Sequence, residues 1–271
     1  PSGPSALWIE GNKLYIAIGS GNSVINGPAP GSEIPNPNPN SPLFSSVLEY
    51  TFPVFDSPLS RDRADVLTRE DHNRLANGET IFLGRIGLLG SSFLSPPPLR
   101  VVANFPDFTP AFRPDVPNNV RPSNPYGLVL ASNTLYVADA AQNNIRTVDL
   151  NNGSIGTLIS YPPRVNPLPV GPPVIDPVPD SLRLVGNRLL VTFLTGFPFP
   201  PGAADVRQFD LDTNMDSQLI GGLTTAIDVL PVSDGNMNNS FYTLEFSTNM
   251  LMGAPGRLQR FDLPNAPTVI S

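Results

Sequence analysis

The feature that most constrains this chain is a set of short strands and tight turns that returns after about fifty residues. From Tyr136 to the matching Leu190 is 54 residues, and from Leu190 to the matching Tyr242 is 52. Units of about 40–50 residues with four strands each are typical of β-propeller blades, which bury their faces only by stacking on neighbours. The spacing therefore predicts an all-β propeller of four-stranded antiparallel blades. Tyr15 precedes Tyr136 by 121 residues, which leaves room for another unit and gives about five or six blades or an incomplete ring.

Each copy has a Pro or Gly turn, two strands joined by a tight polar turn, and a third strand that ends in an acidic residue. The copies are read from Gly3–Ala17, Asn124–Ile159, Pro177–Ile220 and Thr225–Ile270. Asp149, Asp210 and Asp262 end the third strands of the last three copies. A β-sandwich is the alternative. Because strand order and turn chemistry agree across the copies, the pattern favours the propeller.

Proline limits the chain to short strands and ordered loops. The 271 residues include 34 Pro and 22 Gly, and Pro removes a backbone donor and fixes φ, so it breaks helices and central strands. We expect one domain over residues 1–271, with a Pro-rich insert at about 26–100 that contains the extended loop of residues 26–42.

One short surface helix is predicted in the charge-dense stretch of residues 61–75. Thr68 and Asp71 have the spacing of a capping box, and Glu70 and Arg74 are spaced i,i+4. Gly78 is expected to end the helix.

Charge and composition exclude several classes of function. The net charge is −7 with no basic cluster, which argues against a nucleic-acid partner. No apolar run is long enough for a transmembrane helix, so membrane insertion is not expected. The chain has no Cys, and its sequons at Asn152 and Asn238 are candidate N-glycosylation sites. These features agree with a secreted or extracytoplasmic protein, either extracellular or periplasmic.

Two motifs are similar to those of a known family. The segments Asn124-Pro-Tyr-Gly-Leu128 and Leu135-Tyr-Val-Ala-Asp-Ala140 resemble the NHL-type repeat of the ScyD/ScyE proteins, which are associated with scytonemin gene clusters in cyanobacteria. Leu194-Thr-Gly-Phe-Pro-Phe-Pro-Pro-Gly-Ala203 is the most specific similarity. The likeness covers mainly residues 120–263, with a weaker patch at 1–20, while the insert at 26–100 departs from it.

The resemblance implies a β-propeller and an extracytoplasmic location. It implies no established chemistry and therefore transfers no catalytic residue. The opening and closing blades expected of the family are not found in the sequence, so the chain is either a piece of a longer protein or a shorter propeller.

The residues give little support to catalysis. The chain has a single histidine, His72, in the predicted helix, whereas a Ser-His-Asp device needs a positioned imidazole and an orienting carboxylate. With one His and no Cys, a zinc site is not expected. Oxygen ligands alternate over Asp210–Asp216, but the glycine and the final Glu of a calcium loop are absent, so a turn is the better interpretation. We predict no catalytic residues, no metal ligands and no cofactor, with calcium as the one alternative.

Five residues are candidates for binding a partner or ligand. Asn124 and Tyr126 belong to the family-like motif. Asp139, which follows the second strand of its copy, is expected near the mouth of the channel, with Thr192 in its place in the third copy. The stiff apolar loop at Phe197 and Phe199 would bind a partner if exposed, although the bracketing glycines favour a buried loop.

Two functions remain open at this stage. The first is a non-catalytic extracellular binding or scaffold protein, including a structural subunit of a filament or other assembly whose partners are other protein chains or further copies of itself. The second is a metal-dependent lyase or lactonase of the propeller kind. Its candidate residues would be Asp139, Asn124, Glu245 and Asp228.

Overall fold

The chain forms mostly strands, in two compact units. The computed structural model describes residues 3–52, 66–83, 87–89, 92–94, 96–232, 240–263 and 268–270. One unit comprises residues 1–126 and 148–155, and the other comprises residues 127–147 and 156–271. The predicted Asn238 sequon lies outside the described residues. The expectation of a single domain over 1–271 with an insert at 26–100 stays a prediction.

The strands are numbered in chain order. The first eleven are β1 Pro4–Glu10, β2 Lys13–Ile18, β3 Val24–Asn26, β4 Glu33–Pro35, β5 Ser46–Thr51, β6 Ile81–Phe82, β7 Gly87–Leu89, β8 Ser92–Leu94, β9 Pro98–Asn104, β10 Phe108–Pro110 and β11 Val120–Pro122. The others are β12 Pro125–Ala131, β13 Thr134–Asp139, β14 Asn144–Asp149, β15 Ile155–Ser160, β16 Arg164–Val165, β17 Val174–Ile175, β18 Pro179–Val185, β19 Arg188–Phe193, β20 Ala204–Asp210, β21 Met215–Leu223, β22 Ala226–Val232, β23 Ser240–Glu245, β24 Arg257–Asp262 and β25 Thr268–Ile270.

Four larger sheets contain most of these strands. Sheet 1 has the order β1-β2-β5-β9-β6, and sheets 2, 3 and 4 are the consecutive sets β12–β15, β18–β21 and β22–β25. The strand pairs are antiparallel wherever a register is defined. The pairs β3-β4, β7-β8, β10-β11 and β16-β17 form small two-stranded sheets. Four consecutive antiparallel strands per unit is the arrangement of a propeller blade.

The residues matched in the sequence occupy equivalent positions in these sheets. Tyr15, Tyr136, Leu190 and Tyr242 are each the third residue of a six-residue second strand. The acids that end the third strands, Asp149, Asp210 and Asp262, are the last residues of β14, β20 and β24. The repeat is therefore a structural repeat.

A β-bulge near the start of the first strand recurs in three sheets. The register shifts between Pro4 and Ala6 in β1, between Pro179 and Leu182 in β18, and between Ala226 and Asp228 in β22. A bulge bends the strand and turns a side chain away from its regular face. The sequence pattern, which gives only a period of two, does not reveal this feature.

Sheets 3 and 4 stack face to face. We call the face of sheet 3 that carries Val185, Leu190, Val206 and Ile220 its front face. These side chains share one core with Val229, Phe241 and Phe261, which lie on the opposing face of sheet 4, its back face. The first strands β18 and β22 touch, and β13 also contacts β18. Stacking of this kind is how blade-like sheets bury their apolar faces.

The predicted helix is present and packs on sheet 1. It spans Arg69–Ala76 (α1), with a capping box formed by Thr68 and Asp71. Leu75 is fully buried against a set of apolar side chains, Leu43, Leu48, Ile81 and Leu99. Arg74 pairs with Glu79 at 3.0 Å. The expected fold class, all-β with four-stranded antiparallel blades and one short surface helix, is confirmed.

Candidate functional site

Sheet 4 exposes an apolar face on the side away from sheet 3, which we call its open face. Its side chains come from three neighbouring strands: Leu230 from β22, Leu244 from β23 and Leu258 from β24. Each is between 38% and 55% exposed. Leu244 lies directly opposite Leu258, and Leu230 lies opposite Tyr242. The three leucines therefore form one contiguous surface.

A shallow depression of about 380 Å³ lies in the open face. It is lined by Asp228, Leu230, Tyr242, Leu244 and Leu258. The charged groups at its edge are already paired, because Arg183 pairs with Asp228 at 2.6 Å and Arg260 pairs with Asp262 at 2.9 Å. A depression lined mainly by apolar side chains, whose one charged group is already paired, suits the side chains of a protein partner better than a small polar ligand.

The open face is equivalent to the covered front face of sheet 3. The registers match Leu190 with Tyr242, Val206 with Leu258 and Ile220 with Ile270. In sheet 3 these positions are buried under sheet 4. In sheet 4 they are equally apolar, yet Leu258 and Ile270 are more than a third exposed. The open face therefore has the chemistry of a stacking surface.

The ends of the second strands hold buried acids with arginine partners. Asp139 ends β13, is fully buried, accepts a hydrogen bond from the backbone of Gln142 at 3.2 Å and lies 3.9 Å from the Arg146 Nε. Glu245 ends β23 and accepts hydrogen bonds from the Thr224 backbone at 2.5 Å and from the Arg257 Nε at 2.6 Å.

These contacts give both acids a structural role, because their oxygens are engaged within the protein. The third copy has Phe193 at the same place, since it is the last residue of β19. Thr192, expected there from the sequence, is one position earlier. The Arg164 guanidinium lies 5.1 Å from the centre of the Phe193 ring, so an arginine accompanies this position in all three copies.

Asp180 is the acid that sequence reasoning missed. It lies in the bulged start of β18, is 4% exposed, and burial together with the nearby Asp228 carboxylate raises its pKa to about 7. The burial of Asp180 could be predicted only by knowing that the bulge turns its side chain inward. The sequence Pro-Val-Pro-Asp alone indicates a turn.

The candidate residues of the family-like motif are held in place by local contacts. Asn124 accepts a hydrogen bond from the Ser20 backbone through its side-chain oxygen at 2.9 Å, so it ties its loop to the segment after β2. Tyr126 is 38% exposed.

The apolar loop is partly buried. Pro198 and Pro200 are buried, whereas the Phe197 side chain is exposed and packs edge-on against Phe199 at 6.3 Å. The expectation of a buried loop therefore holds for the prolines and fails for Phe197. The reason is that Gly171 packs against Pro198 and one edge of Phe197, leaving the rest of that ring uncovered.

The acids that end the third strands cap turns or pair locally. Asp149 accepts a hydrogen bond from the Asn151 backbone at 2.8 Å, and Asp210 accepts from the backbones of Asp212 and Thr213. The hydrogen bonds from Thr213 lower the pKa of Asp210. Residues 211–214 form the turn that was expected between β20 and β21. Among the described residues, no group of three or more His, Asp or Glu side chains is arranged to hold a metal ion.

Two further residues that the sequence singled out, His72 and Asn152, are placed by the structure. The His72 Nδ1 lies 3.0 Å from the Ser41 Oγ. Asn152 is exposed in the turn between β14 and β15, and its amide nitrogen donates to Asp149 at 2.9 Å.

No helix in the described part of the chain is long and apolar enough to cross a lipid bilayer.

These sheets define the chain as an all-β protein of the β-propeller type. No known family profile matches it, and no curated protein sequence is significantly similar. Similar solved structures include a chain of the nidogen/laminin complex, at 12% identity and TM-score 0.41, with 64% of this chain and 52% of that one covered.

Two further similar structures are enzymes or metal-binding proteins. The GH74 enzyme of Niastella koreensis is 15% identical, with TM-score 0.42 and coverage of 98% of this chain and 38% of that one. The calcium-binding protein regucalcin of Agrobacterium tumefaciens is 10% identical, with TM-score 0.28 and coverage of 53% and 57%. This chain thus spans less than two thirds of each of the three. Because the identities and TM-scores are low, the fold class rests on the sheet topology.

Proposed function

We propose that this chain is a non-catalytic, secreted binding or scaffold protein that contacts another protein chain through the open face of sheet 4. The observation that carries the proposal is the row of exposed Leu230, Leu244 and Leu258 on a regular sheet. Contiguous exposed apolar patches on folded proteins mark surfaces that bind other proteins. The equivalent face of sheet 3 is covered by sheet 4 of the same chain.

The acids support the non-catalytic part of the proposal. Glu245, Asp228 and Asp139, the residues with which a metal-dependent lyase or lactonase would bind its ion, each have an arginine within 4.0 Å. A carboxylate paired in this way has to give up that partner before it can bind a cation, which weakens metal binding. We therefore propose that the protein acts without a cofactor.

The finer features of the proposal come from the sequence. The resemblance to ScyD/ScyE proteins implies an extracytoplasmic location, and the exposed sequon at Asn152 agrees with a glycosylated extracellular protein. A structural subunit of an extracellular filament or other assembly would combine these features with the open face.

Footprinting tests the role of the open face. Carbene labelling is compared between native material isolated from its source and the purified chain at low concentration. We expect Leu244 and Leu258 to be labelled several-fold less in the native material. Val165 and Phe112, which are 81% and 78% exposed, serve as internal references. Equal labelling of the open face in both samples would overturn the proposal.

Metal analysis tests the non-catalytic part separately. Native material is desalted and its calcium, magnesium, iron and zinc are measured per chain. We expect substoichiometric amounts of each. One tightly held divalent ion per chain, lost on substitution of Glu245 or Asp228, would refute the cofactor-free proposal and favour the enzyme.

A further inference from the structure

We infer that the occupant of the open face is a second copy of this chain, bound through the back face of its sheet 1. The inference rests on the proposed function and names its partner. It follows from two exposed surfaces of the chain. One corresponds to the sheet 3 side of the contact between sheets 3 and 4, and the other corresponds to the sheet 4 side.

The first surface is the open face. Tyr242, Leu258 and Ile270 match Leu190, Val206 and Ile220 of the front face of sheet 3, on which a neighbouring sheet lies. Leu230 and Leu244 stand where sheet 3 has Arg183 and Thr192, so the open face is the more apolar of the two. The contact between sheets 3 and 4 shows which kind of surface packs on a front face. The front face accepts the back face of another blade, through Val229 of the first strand, Phe241 of the second and Phe261 of the third.

The second surface is the back face of sheet 1. Leu7 lies opposite Ile16, and Ile9 lies opposite Leu14, in the same register in which Val229 lies opposite Thr243 in sheet 4. Val229 is fully buried against sheet 3, whereas Leu7 and Ile9 are each 62% exposed. β1 thus presents Leu7 at a position that is covered in sheet 4, with Ile9 beside it on the same face.

The helix and the core around it limit this contact to the first strand of sheet 1. Leu75 of α1 packs against Leu48 of β5 and Leu99 of β9, so that half of the back face is already covered. Ile16 and Ile18 of β2 pack against the same cluster, so the uncovered part of the back face lies on β1. That strand corresponds to β22, which supplies Val229 to the core with sheet 3.

The two surfaces are different, which determines the kind of assembly. A contact between unlike surfaces is heterologous and leaves one of each surface free after every addition. Copies joined in this way form an open chain, or a ring if the rotation closes. A symmetric dimer in which the open faces meet each other would instead stop at two copies.

Complementary variants test the inference directly. Leu244→Glu disables the open face, and Ile9→Glu disables the sheet 1 face. We expect each variant alone to remain monomeric in sedimentation velocity at concentrations where the unaltered chain forms larger species. An equimolar mixture of the two is expected to form a heterodimer and nothing larger, because only one contact in the mixture has two intact faces. Val165→Glu, at an exposed valine outside both surfaces, should assemble like the unaltered chain.

The other possible results show whether the inference alone fails or the proposed function fails with it. If Ile9→Glu assembles normally while Leu244→Glu does not, the open face binds a different surface and the inference is wrong. If the unaltered chain is monomeric at all concentrations but its open face is protected in native material, the partner is another protein, so the inference falls and the proposed function stands. Leu230→Glu repeats the test of the open face, and an unchanged melting temperature for each variant shows that it folds.

Discussion

Asp180 carries a carboxyl group that the fold removes from water. It is 4% exposed, and burial together with the Asp228 carboxylate raises its pKa from 3.8 to about 7. A buried acid with a raised pKa binds its proton more tightly in the folded chain than in the unfolded chain. Its contribution to stability is therefore fully present below pH 3.8 and is lost as the pH rises through about 7.

Replacing Asp180 by Asn should remove this pH dependence. We expect Asp180→Asn to be more stable than the unaltered chain at about pH 8, by roughly 2–4 kcal/mol, and the difference to shrink towards about pH 5. Urea unfolding at several pH values measures it. Asp212→Asn, at an exposed acid in a turn, is the control for the loss of one carboxylate. A difference that grows as the pH falls would contradict the assignment.

Gly127 lets the first strand β12 approach β18 closely. A Cβ added at Gly127 would lie 2.4 Å from the Asp180 carbonyl oxygen and 3.1 Å from the Leu182 nitrogen. Because both atoms belong to the backbone, no rotamer change relieves the clash.

We therefore expect Gly127→Ala to lower the free energy of unfolding by about 2–3 kcal/mol. Gly3→Ala, where nothing lies within 4 Å, should change it by less than about 0.5 kcal/mol. Chemical denaturation followed by intrinsic fluorescence provides the measurement. Equal effects of the two substitutions would show that β12 and β18 are not in close contact.

At the scale of strands, the sequence was sufficient where the signal is local. Gly11 and Gly186 both have positive φ in the turns after β1 and β18, as glycines in tight hairpins require. The capping box of α1 is also local and was predicted correctly. The bulges at the starts of β1, β18 and β22 were not, because a bulge depends on pairing with the next strand.

The second strands show the same limit. That Asp139 and Glu245 end β13 and β23 follows from the repeat, but their arginine partners lie seven and twelve residues further along the chain. No pattern of apolar and polar residues indicates such a pair. The sequence indicated Asp139 only as a candidate binding residue, and the structure places it 3.9 Å from the Arg146 Nε, at the strand position where Glu245 is hydrogen-bonded to Arg257.

The Glu245 ion pair holds three elements together and should be costly to break from one side. Its carboxylate binds Arg257 of β24 and the backbone of Thr224, just before β22. Arg257→Met leaves a buried charge without its cation, so we expect a loss of about 3 kcal/mol. The double variant Glu245→Gln, Arg257→Met should recover much of it.

The exposed pair of Arg74 and Glu79 provides the comparison. Arg74→Met is expected to cost less than about 0.5 kcal/mol, as is usual for surface ion pairs. Thermal and urea unfolding of the unaltered chain, Arg257→Met, the double variant and Arg74→Met measure these differences in stability. If the double variant were no more stable than Arg257→Met, the cost would come from lost packing of the arginine stem.

For the whole molecule, the period of about fifty residues predicted the stacked sheets correctly but not which faces stay uncovered. Val206 and Leu258 are both apolar and occupy equivalent strand positions, yet one is buried and the other is exposed. Single-sequence patterns report that a face is apolar, and only the neighbouring sheet decides whether it is covered. For this reason the sequence did not indicate that the open face is exposed, although every residue in it was predicted to lie in a strand.

The net charge of the copies determines how salt should affect their association. Each chain carries −7, so two copies repel each other, while the proposed contact between Leu244 and Ile9 surfaces is apolar. Salt screens the repulsion, with a Debye length of about 10 Å at 0.1 M, and leaves apolar attraction almost unchanged. We therefore expect the association constant to rise several-fold from about 20 mM to about 300 mM NaCl. Sedimentation equilibrium measures it, with Leu244→Glu as the non-associating control. Association that weakens with added salt would mean that ion pairs, rather than the open face, hold the copies together.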